Sequence, residues 1–318
     1  MSKGTGWIKR IFKAKETGIL VILIILSILI QIYNPIFLTF SNIMDVLRNT
    51  SYTLVIALGM TFVLIARGLD LSVGSVLAIS GLVAALCMTS GIPVVLSCLI
   101  GLGVGAVFGC VNAFCIVKLR IPAMIATLGS MYMARGLVLV ITKGQPVYPL
   151  PESFTSLGQG NILGIPIVVI LAIVLSVIAH WVLKNTTYGR KVYAIGGNPE
   201  TASFAGINVS RITVSVYILC GALAALSGIM TAARMGSGQP SVGDGTEMTV
   251  ITAVIIGGTS LNGGAGTVLG TAFGALLMNV LSSGMNLVGV SAYWQQFVMG
   301  LIIVVAVALD QYQRSKRR

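Results

Sequence analysis

Residues 18–30 read Gly-Ile-Leu-Val-Ile-Leu-Ile-Ile-Leu-Ser-Ile-Leu-Ile, a run without a single charge. A helix needs roughly 20 predominantly apolar residues to cross the hydrocarbon core of a bilayer, and runs of this kind recur along the chain. Of the 318 residues, 56% are apolar and only 9% are charged, so a soluble domain could not bury this much apolar surface. The sequence therefore predicts an all-α, polytopic membrane protein.

Ten apolar segments, separated by short polar breaks, are the predicted membrane spans. No polar gap is long enough for a separate soluble domain, so residues 1–318 are expected to form a single transmembrane domain. The eighth span is the shortest. The predicted spans are 18–33, 50–66, 73–89, 93–117, 121–142, 165–183, 212–232, 248–258, 265–283 and 294–309.

The net charge of +12 does not indicate a nucleic-acid partner, because the basic residues cluster at the ends of the apolar segments. The positive-inside rule then predicts an even number of crossings with both termini in the cytoplasm. The tails 1–17 and 310–318 and the loop 184–211 lie inside, and residues 143–164 lie outside. The basic residues of the two tails are Lys3, Lys9, Arg10, Lys13, Lys15, Arg314, Lys316, Arg317 and Arg318.

Residues that could carry catalysis or hold a metal are sparse and scattered. His180 is the only histidine, and no Gly-x-x-x-x-Gly-Lys-Ser/Thr loop for phosphate occurs. The chain is therefore not expected to be an enzyme, to hold a metal or cofactor, or to hydrolyse ATP by itself. The five cysteines lack the paired spacing of a metal or redox site and are interpreted as packing residues: Cys87, Cys98, Cys110, Cys115 and Cys220.

Glycine-rich stretches suggest close packing of helices. Residues 101–109 read Gly-Leu-Gly-Val-Gly-Ala-Val-Phe-Gly, which places small residues at helix-contact spacing. Two further segments resemble each other, Gly-Leu-Asp-Leu-Ser-Val-Gly at 68–74 and Gly-Thr-Ser-Leu-Asn-Gly-Gly at 258–264. An internal repeat and a coincidence in a glycine- and leucine-rich chain both explain this similarity.

Asp70 stands out because an acid this close to apolar spans is costly unless it is paired or hydrated. Arg67 lies three residues earlier and would be its neighbour in a helical turn, so a structural salt bridge is one interpretation. The other interpretation is that Asp70 lines a pathway or forms a gate. Ser72 and Gly74 are expected to cap the helix that follows.

The loop 184–211 carries the signals of a short, capped helix. Asn198 can accept a hydrogen bond from a free backbone N–H, and Pro199 suits the first helical position. Glu200 complements the positive end of the helix dipole, and Gly206 can end the helix. A rigid surface helix for docking a partner and an ordinary interfacial loop are both consistent with these residues.

Three motifs together make a resemblance specific: Gly-Gly-Asn-Pro-Glu at 196–200, the segment 68–74, and Ile-Ile-Gly-Gly-Thr-Ser-Leu-Asn-Gly-Gly at 255–264. With these motifs in the same order along the chain, and over nearly its whole length, the sequence resembles the permease subunits of ribose-type ABC sugar importers. These belong to the wider superfamily of branched-chain amino acid and ribose permeases. The resemblance implies a multi-pass subunit of the bacterial cytoplasmic membrane that imports a monosaccharide.

The same resemblance implies several partners: a second permease copy, a cytoplasmic ATPase that binds ATP and Mg²⁺, and a periplasmic or lipid-anchored sugar-binding protein. It places a coupling helix in the loop 184–211, in the groove of the ATPase. The expected coupling residues are Gly197, Asn198, Pro199, Glu200, Ala202 and Gly206. The expected residues of the translocation pathway or its gate are Gly68, Asp70, Ser72, Gly74, Thr259 and Asn262.

Asp244 and Glu247 fall in a predicted outer loop, 234–247, where they could dock the binding protein or remain simply solvated. After this glutamate the chain reads Met-Thr-Val-Ile-Thr at 248–252, where the family usually has Leu-Asp-Ala-Ile-Ala. The substrate therefore stays open among pentoses, nucleosides, autoinducer-type furanosides and branched-chain amino acids. An ion-coupled carrier would need acids in mid-span, which the predicted spans lack, whereas a channel is not excluded.

Overall fold

The computed structural model describes residues 15–315, which form thirteen helices and one two-stranded hairpin. The basic residues at positions 3, 9, 10, 13 and 316–318 lie outside this range. The helices are α1 Lys15–Tyr33, α2 Phe40–Ile65, α3 Val73–Thr89, α4 Val94–Val117, α5 Ala123–Thr142, α6 Glu152–Gln159, α7 Ile167–Asn185, α8 Thr187–Gly197, α9 Pro199–Phe204, α10 Val209–Met235, α11 Thr246–Ile256, α12 Val268–Leu287 and α13 Ala292–Ser315. The antiparallel strands are β1 Asn161–Ile162 and β2 Ile165–Pro166.

Each of the ten predicted spans coincides with an apolar helix, so the all-α, polytopic prediction is confirmed. Six helices are long and apolar enough to cross a membrane, namely α2, α4, α5, α7, α10 and α12. The other four apolar helices, α1, α3, α11 and α13, have shorter apolar stretches. The remaining helices α6, α8 and α9 are short and belong to the polar breaks between spans.

Helices α2, α3 and α10 form the centre of the bundle, and small residues set their spacing. A β-carbon on Gly105 of α4 would overlap the backbone of Gly221 in α10. Gly81 of α3 meets Gly228 of α10 in the same way, whereas Gly103 faces open space. Such contacts allow the helix backbones to approach closely. In lipid no hydrophobic effect drives helices together, and van der Waals packing of this kind stabilises their association instead. The predicted packing role of the 101–109 stretch is thereby confirmed for its buried positions.

Helix α11 is too short to be the eighth complete span. Its 11 residues extend about 16 Å at 1.5 Å per residue, against a hydrocarbon core of about 30 Å. The preceding segment 236–245 packs against the bundle. Gly243 packs against Gly74 and Leu77 of α3, and Gly238 pairs with Val147. The predicted loop 234–247 is therefore partly buried against α3 and Val147, and its outer location stays a prediction.

Candidate translocation and coupling sites

The loop 184–211 contains two helices whose ends are capped in succession. Thr186 Oγ1 accepts a hydrogen bond from the N–H of Gly189 and begins α8. Asn198 Oδ1 accepts from the N–H groups of Glu200 and Thr201 at 2.9 and 3.0 Å, with Pro199 at the first position of α9. The predicted cap is confirmed.

The end of α9 is also as predicted. Gly206 has φ +81°, and its N–H donates to the carbonyl of Ser203, while the N–H of Ile207 donates to the carbonyl of Ala202. This pair of bonds closes the helix with a left-handed residue that glycine adopts without a steric penalty. Capped at both ends, α9 is a short rigid body on the surface.

Exposure on α9 divides the predicted coupling residues into two groups. Gly197, Asn198, Glu200 and Gly206 are exposed, and Pro199 is half-buried. Ala202 is only 4% exposed and packs toward the permease itself, so the expectation that it lies in the groove of a partner is wrong. Phe204, two residues later, is 92% exposed. It offers the aromatic surface that Ala202 does not.

The C-terminal end of α8 packs between the end of α2 and the segment before α12. A β-carbon on Gly196 would overlap the carbonyl of Ile65 at the end of α2 and the N–H of Gly264, which itself donates to Ile65 at 2.9 Å. Tyr193 of α8 donates to the carbonyl of Gly266 at 2.8 Å, and burial raises the pKa of its hydroxyl. We call Tyr193, Gly196, Ile65, Gly264 and Gly266 the junction.

The junction connects α8 to long helices of the bundle. Ile65 ends α2, and the segment 257–267 leads directly into α12. These two helices are also joined to each other, because Thr61 and Thr271 share a hydrogen bond of 2.7 Å between fully buried hydroxyls. Helix α8 is therefore in direct backbone contact with the end of α2 and with the segment that leads into α12.

Asp70 is 1% exposed and forms no salt bridge with Arg67, so that interpretation is wrong. Among the described residues the one salt bridge joins Arg48 and Asp45. The Asp70 carboxylate instead accepts from the N–H and hydroxyl of Ser72, at 2.9 and 2.6 Å, and from the amide of Asn112 at 3.4 Å. Neutral donors thus satisfy this buried acid, and it orders the turn before α3.

Ser72 takes the first position before α3 but does not cap it with its side chain. Its hydroxyl donates to Asp70 and accepts from Asn112 at 2.9 Å, so it is not available to a free N–H of the helix. Gly74 lies within the first turn, where a side chain would overlap Gly243 and Glu247. The predicted capping by Ser72 and Gly74 is therefore wrong.

The similar segments 68–74 and 258–264 belong to neighbouring regions. Gly68 lies against Tyr217, whose hydroxyl bonds to Leu69, while the preceding Arg67 packs against Gly263. Thr259 is fully buried beside Gly266, and Asn262 is exposed. The two segments thus lie close to each other near the end of α2, and Gly264 of the second segment belongs to the junction.

The segment 236–245 is non-helical backbone inside an apolar bundle, and Arg135 makes this possible. Its guanidinium donates to the carbonyls of Pro240 and Val242 at 2.9 and 3.0 Å. Unsatisfied backbone groups are costly in lipid and are tolerated only where protein supplies partners. Glu247 follows in the first turn of α11 and is 8% exposed, so it does not lie in a solvated loop as predicted. Asp244 is exposed.

Two cavities lie on either side of this segment. One, of about 430 Å³, is lined mainly by α2, α10 and α12, and is called the asparagine cavity after four of its residues, Asn42, Asn49, Asn279 and Asn286. The other, of about 700 Å³, lies between α11 and α13 and is called the methionine cavity after Met248, Met278 and Met299. Asp244 and Glu247 line the methionine cavity, whereas the predicted pathway residues line neither.

A bundle of apolar helices that encloses polar cavities and presents a rigid helical surface at one end defines a polytopic membrane permease. The family described as "Branched-chain amino acid transport system / permease component" matches residues 42–307, and the chain belongs to this family. No solved structure matches the chain.

Named relatives cover nearly the whole sequence. The chain is 40% identical over 299 residues to the ribose import permease protein RbsC of Haemophilus influenzae, covering 93% of each chain. It is 42% identical over 291 residues to RbsC of Bacillus subtilis, covering 91% of this chain and 90% of the relative. It is 38% identical over 303 residues to the L-arabinose transport system permease protein AraH of Escherichia coli, covering 95% and 92%.

Several residues that build these sites were missed by the sequence reasoning. An arginine within an apolar span, Arg135, is a recognisable signal, because such residues face the interior and have partners. Asn112 gives the same signal within α4. Gly196, Tyr193 and Phe204 give no comparable signal, because their contacts or exposure depend on how α8 and α9 pack.

Proposed function

We propose that this chain is the membrane-spanning subunit of an ATP-driven importer that carries a monosaccharide, of the ribose or arabinose type, into the bacterial cytoplasm. It would lie in the cytoplasmic membrane with both termini inside and form a dimer with a second permease copy. A sugar-binding protein would deliver the substrate, and ATP and Mg²⁺ would bind only to a separate ATPase subunit. The names of the relatives and the family membership support this proposal.

The proposed coupling to the ATPase rests on the exposed surface of α8 and α9. It is capped at both ends, exposes Phe204, and contacts α2 and the segment before α12 through the junction. Exposed aromatic anchors with rigid backbones are typical centres of protein interfaces. We infer that α9 docks on the ATPase, with Phe204 as the anchor and Asn198 and Glu200 at its polar edge.

We further propose that the segments around Gly68–Gly74 and Thr259–Asn262 form the gate at the cytoplasmic end. Both lie close to the junction, so a movement of α8 would reach them directly. Asp70 and Ser72 would keep the first segment ordered during this movement. For docking of the binding protein, exposed Asp244 remains the better candidate than buried Glu247.

The docking proposal is tested by Phe204→Ala, with Leu163→Ala as the matched control. Both side chains are large, apolar and almost fully exposed, at 92% and 99%, but Leu163 lies in the β1–β2 turn. Loss of an aromatic anchor costs about 2 kcal/mol or more, a factor of about 30 in affinity for the ATPase. The affinity is measured by titrating the purified ATPase onto permease in nanodiscs.

Phe204→Ala should also abolish ATP-driven uptake of ribose or arabinose in proteoliposomes that contain the whole importer, whereas Leu163→Ala should not. Equal ATPase affinity of Phe204→Ala and the wild type would refute the anchor. Uptake of the pentose that proceeds without ATP and without the ATPase would indicate a channel instead.

A further inference from the structure

The asparagine cavity and the junction lie at opposite ends of the same helices. Residues 42–56 of α2 and 279–287 of α12 line the cavity, while Ile65 and the segment before α12 form part of the junction. From Asn49 to Ile65, α2 extends about 24 Å at 1.5 Å per residue. The part of the cavity wall nearest the junction, at Ile56, is about 14 Å from Ile65 by the same measure, so a solute in this cavity does not contact the coupling surface.

Hydrogen-bonding groups in the cavity wall are only partly used within the described fold. Ser282 forms no side-chain hydrogen bond there, and Asp45 uses only Oδ1 to accept from Arg48 at 3.1 Å. The amide nitrogen of Asn279 donates to Thr53 and to a backbone carbonyl, which leaves its Oδ1 free. The wall thus offers hydroxyl, carboxylate and amide groups that can both donate to and accept from a ligand.

The charges around the cavity do not form an unpaired pair of opposite sign. Asp45 is paired with Arg48, whereas Arg234 donates to the neutral amide of Asn49 and lies over the ring of Tyr52, 5.8 Å from its centroid. A zwitterionic amino acid would need two opposite charges without partners, together with an apolar pocket for its side chain. A neutral ligand with several hydroxyl groups needs only the unused donors and acceptors.

The volume of the asparagine cavity is suitable for a small neutral ligand with several hydroxyl groups. A volume of about 430 Å³ lies within the usual range of about 300–1,000 Å³ for small-molecule sites. It equals roughly 14 water molecules at about 30 Å³ each, enough for one monosaccharide and a few ordered waters. The methionine cavity is larger, but three thioether side chains and buried Glu247 line it, so it offers fewer neutral hydrogen-bonding groups.

We propose that the asparagine cavity, which is lined mainly by α2, α10 and α12 of a single protomer, is a binding site for a neutral monosaccharide during import. This inference rests on the proposed function, because it identifies where the permease itself holds the sugar.

The direct test is protection of an introduced thiol at the site. Ser282→Cys is introduced into a chain whose five native cysteines are replaced, and the permease is labelled in nanodiscs with a small thiol-reactive methanethiosulfonate. At ten times the dissociation constant, bound sugar should slow labelling about elevenfold, because the free fraction falls as 1/(1 + [L]/Kd). D-Ribose or L-arabinose should protect, and L-leucine should not. Thr249→Cys, in the methionine cavity, is the matched control and should be unaffected.

Transport by the complete importer provides the second test, with Ser282→Leu compared with Thr249→Leu. Leucine in place of Ser282 fills part of the asparagine cavity without removing an internal hydrogen bond of the described fold. We expect at least about a tenfold loss of the uptake rate, the effect of leaving a sugar hydroxyl unpaired. Ser282→Leu should retain normal yield and ATPase binding, and Thr249→Leu should transport normally.

The results of these two tests distinguish a failure of the inference from a failure of the proposed function. If the wild-type importer takes up pentose while the thiol of the Ser282→Cys variant is unprotected and Ser282→Leu transports normally, the inference is wrong and the proposed function stands. Protection of the Thr249→Cys variant alone would place the sugar in the methionine cavity and would also refute the inference. If the wild-type importer takes up neither pentose, both the proposed function and the inference fail.

Discussion

Adding one methyl group at Gly196 should uncouple the permease from its ATPase. The new β-carbon would lie 2.9 Å from the carbonyl carbon of Ile65, and closer still to its oxygen, whereas non-bonded carbons are normally about 3.5–4.0 Å apart. Helix α8 must therefore move away from α2 by about 1 Å. Overpacking of this kind costs about 1–3 kcal/mol. Disturbing the hydrogen bond between Gly264 and Ile65 adds about 1 kcal/mol.

The adjacent Gly197 provides a matched control, because a β-carbon there has no described atom within 4 Å. Gly197→Ala should be neutral, or stabilise α8 by about 0.5–1 kcal/mol, since alanine favours a helix over glycine. Both variants are assayed for membrane yield, ATPase binding, sugar uptake and stimulation of ATP hydrolysis by the loaded binding protein. Gly196→Ala should insert and bind the ATPase but lose most uptake and most stimulation.

The reasoning on the junction would be refuted by wild-type uptake in Gly196→Ala. It would also be refuted if Gly197→Ala lost as much activity as Gly196→Ala, because then the steric contact with Ile65 would not be the cause. A loss of membrane yield confined to Gly196→Ala would show instead that the junction is needed for folding rather than for coupling.

Two further predictions concern the buried acid and the topology. Asp70→Asn should lower the free energy of unfolding by about 1–3 kcal/mol, because the new amide NH₂ group would face the donors that now bind the carboxylate. The yield of monodisperse protein should fall as a result. Adding Arg67→Gln should not restore the yield, since no ion pair is lost, and a clear rescue would contradict the described network. In a cysteine-free background, an impermeant thiol reagent should label Leu163→Cys from outside and Thr187→Cys from inside, because both positions are exposed at opposite ends of α7; the reverse pattern would invert the topology.

Composition and local sequence patterns were sufficient to predict the secondary structure and the capped helix α9. Apolar runs in lipid must satisfy their own backbone groups as helices, so each predicted span coincides with a helix, although α2 begins ten residues before the predicted 50–66. The cap at Asn198 and the end at Gly206 depend on residues within one turn, and both were predictable for this reason.

Contacts between segments distant in the sequence were decided only by the tertiary structure. Asp70 has a basic residue nearby in the chain, yet its partners are Ser72 and Asn112, because the turn before α3 packs on α4. The segment 236–245 looks like a polar loop, but Arg135 in another helix satisfies its carbonyls and keeps it inside the bundle. Sequence determined where helices form, because that is local chemistry. Which polar groups meet in the asparagine cavity and at the junction depends on helix packing, which local patterns do not encode.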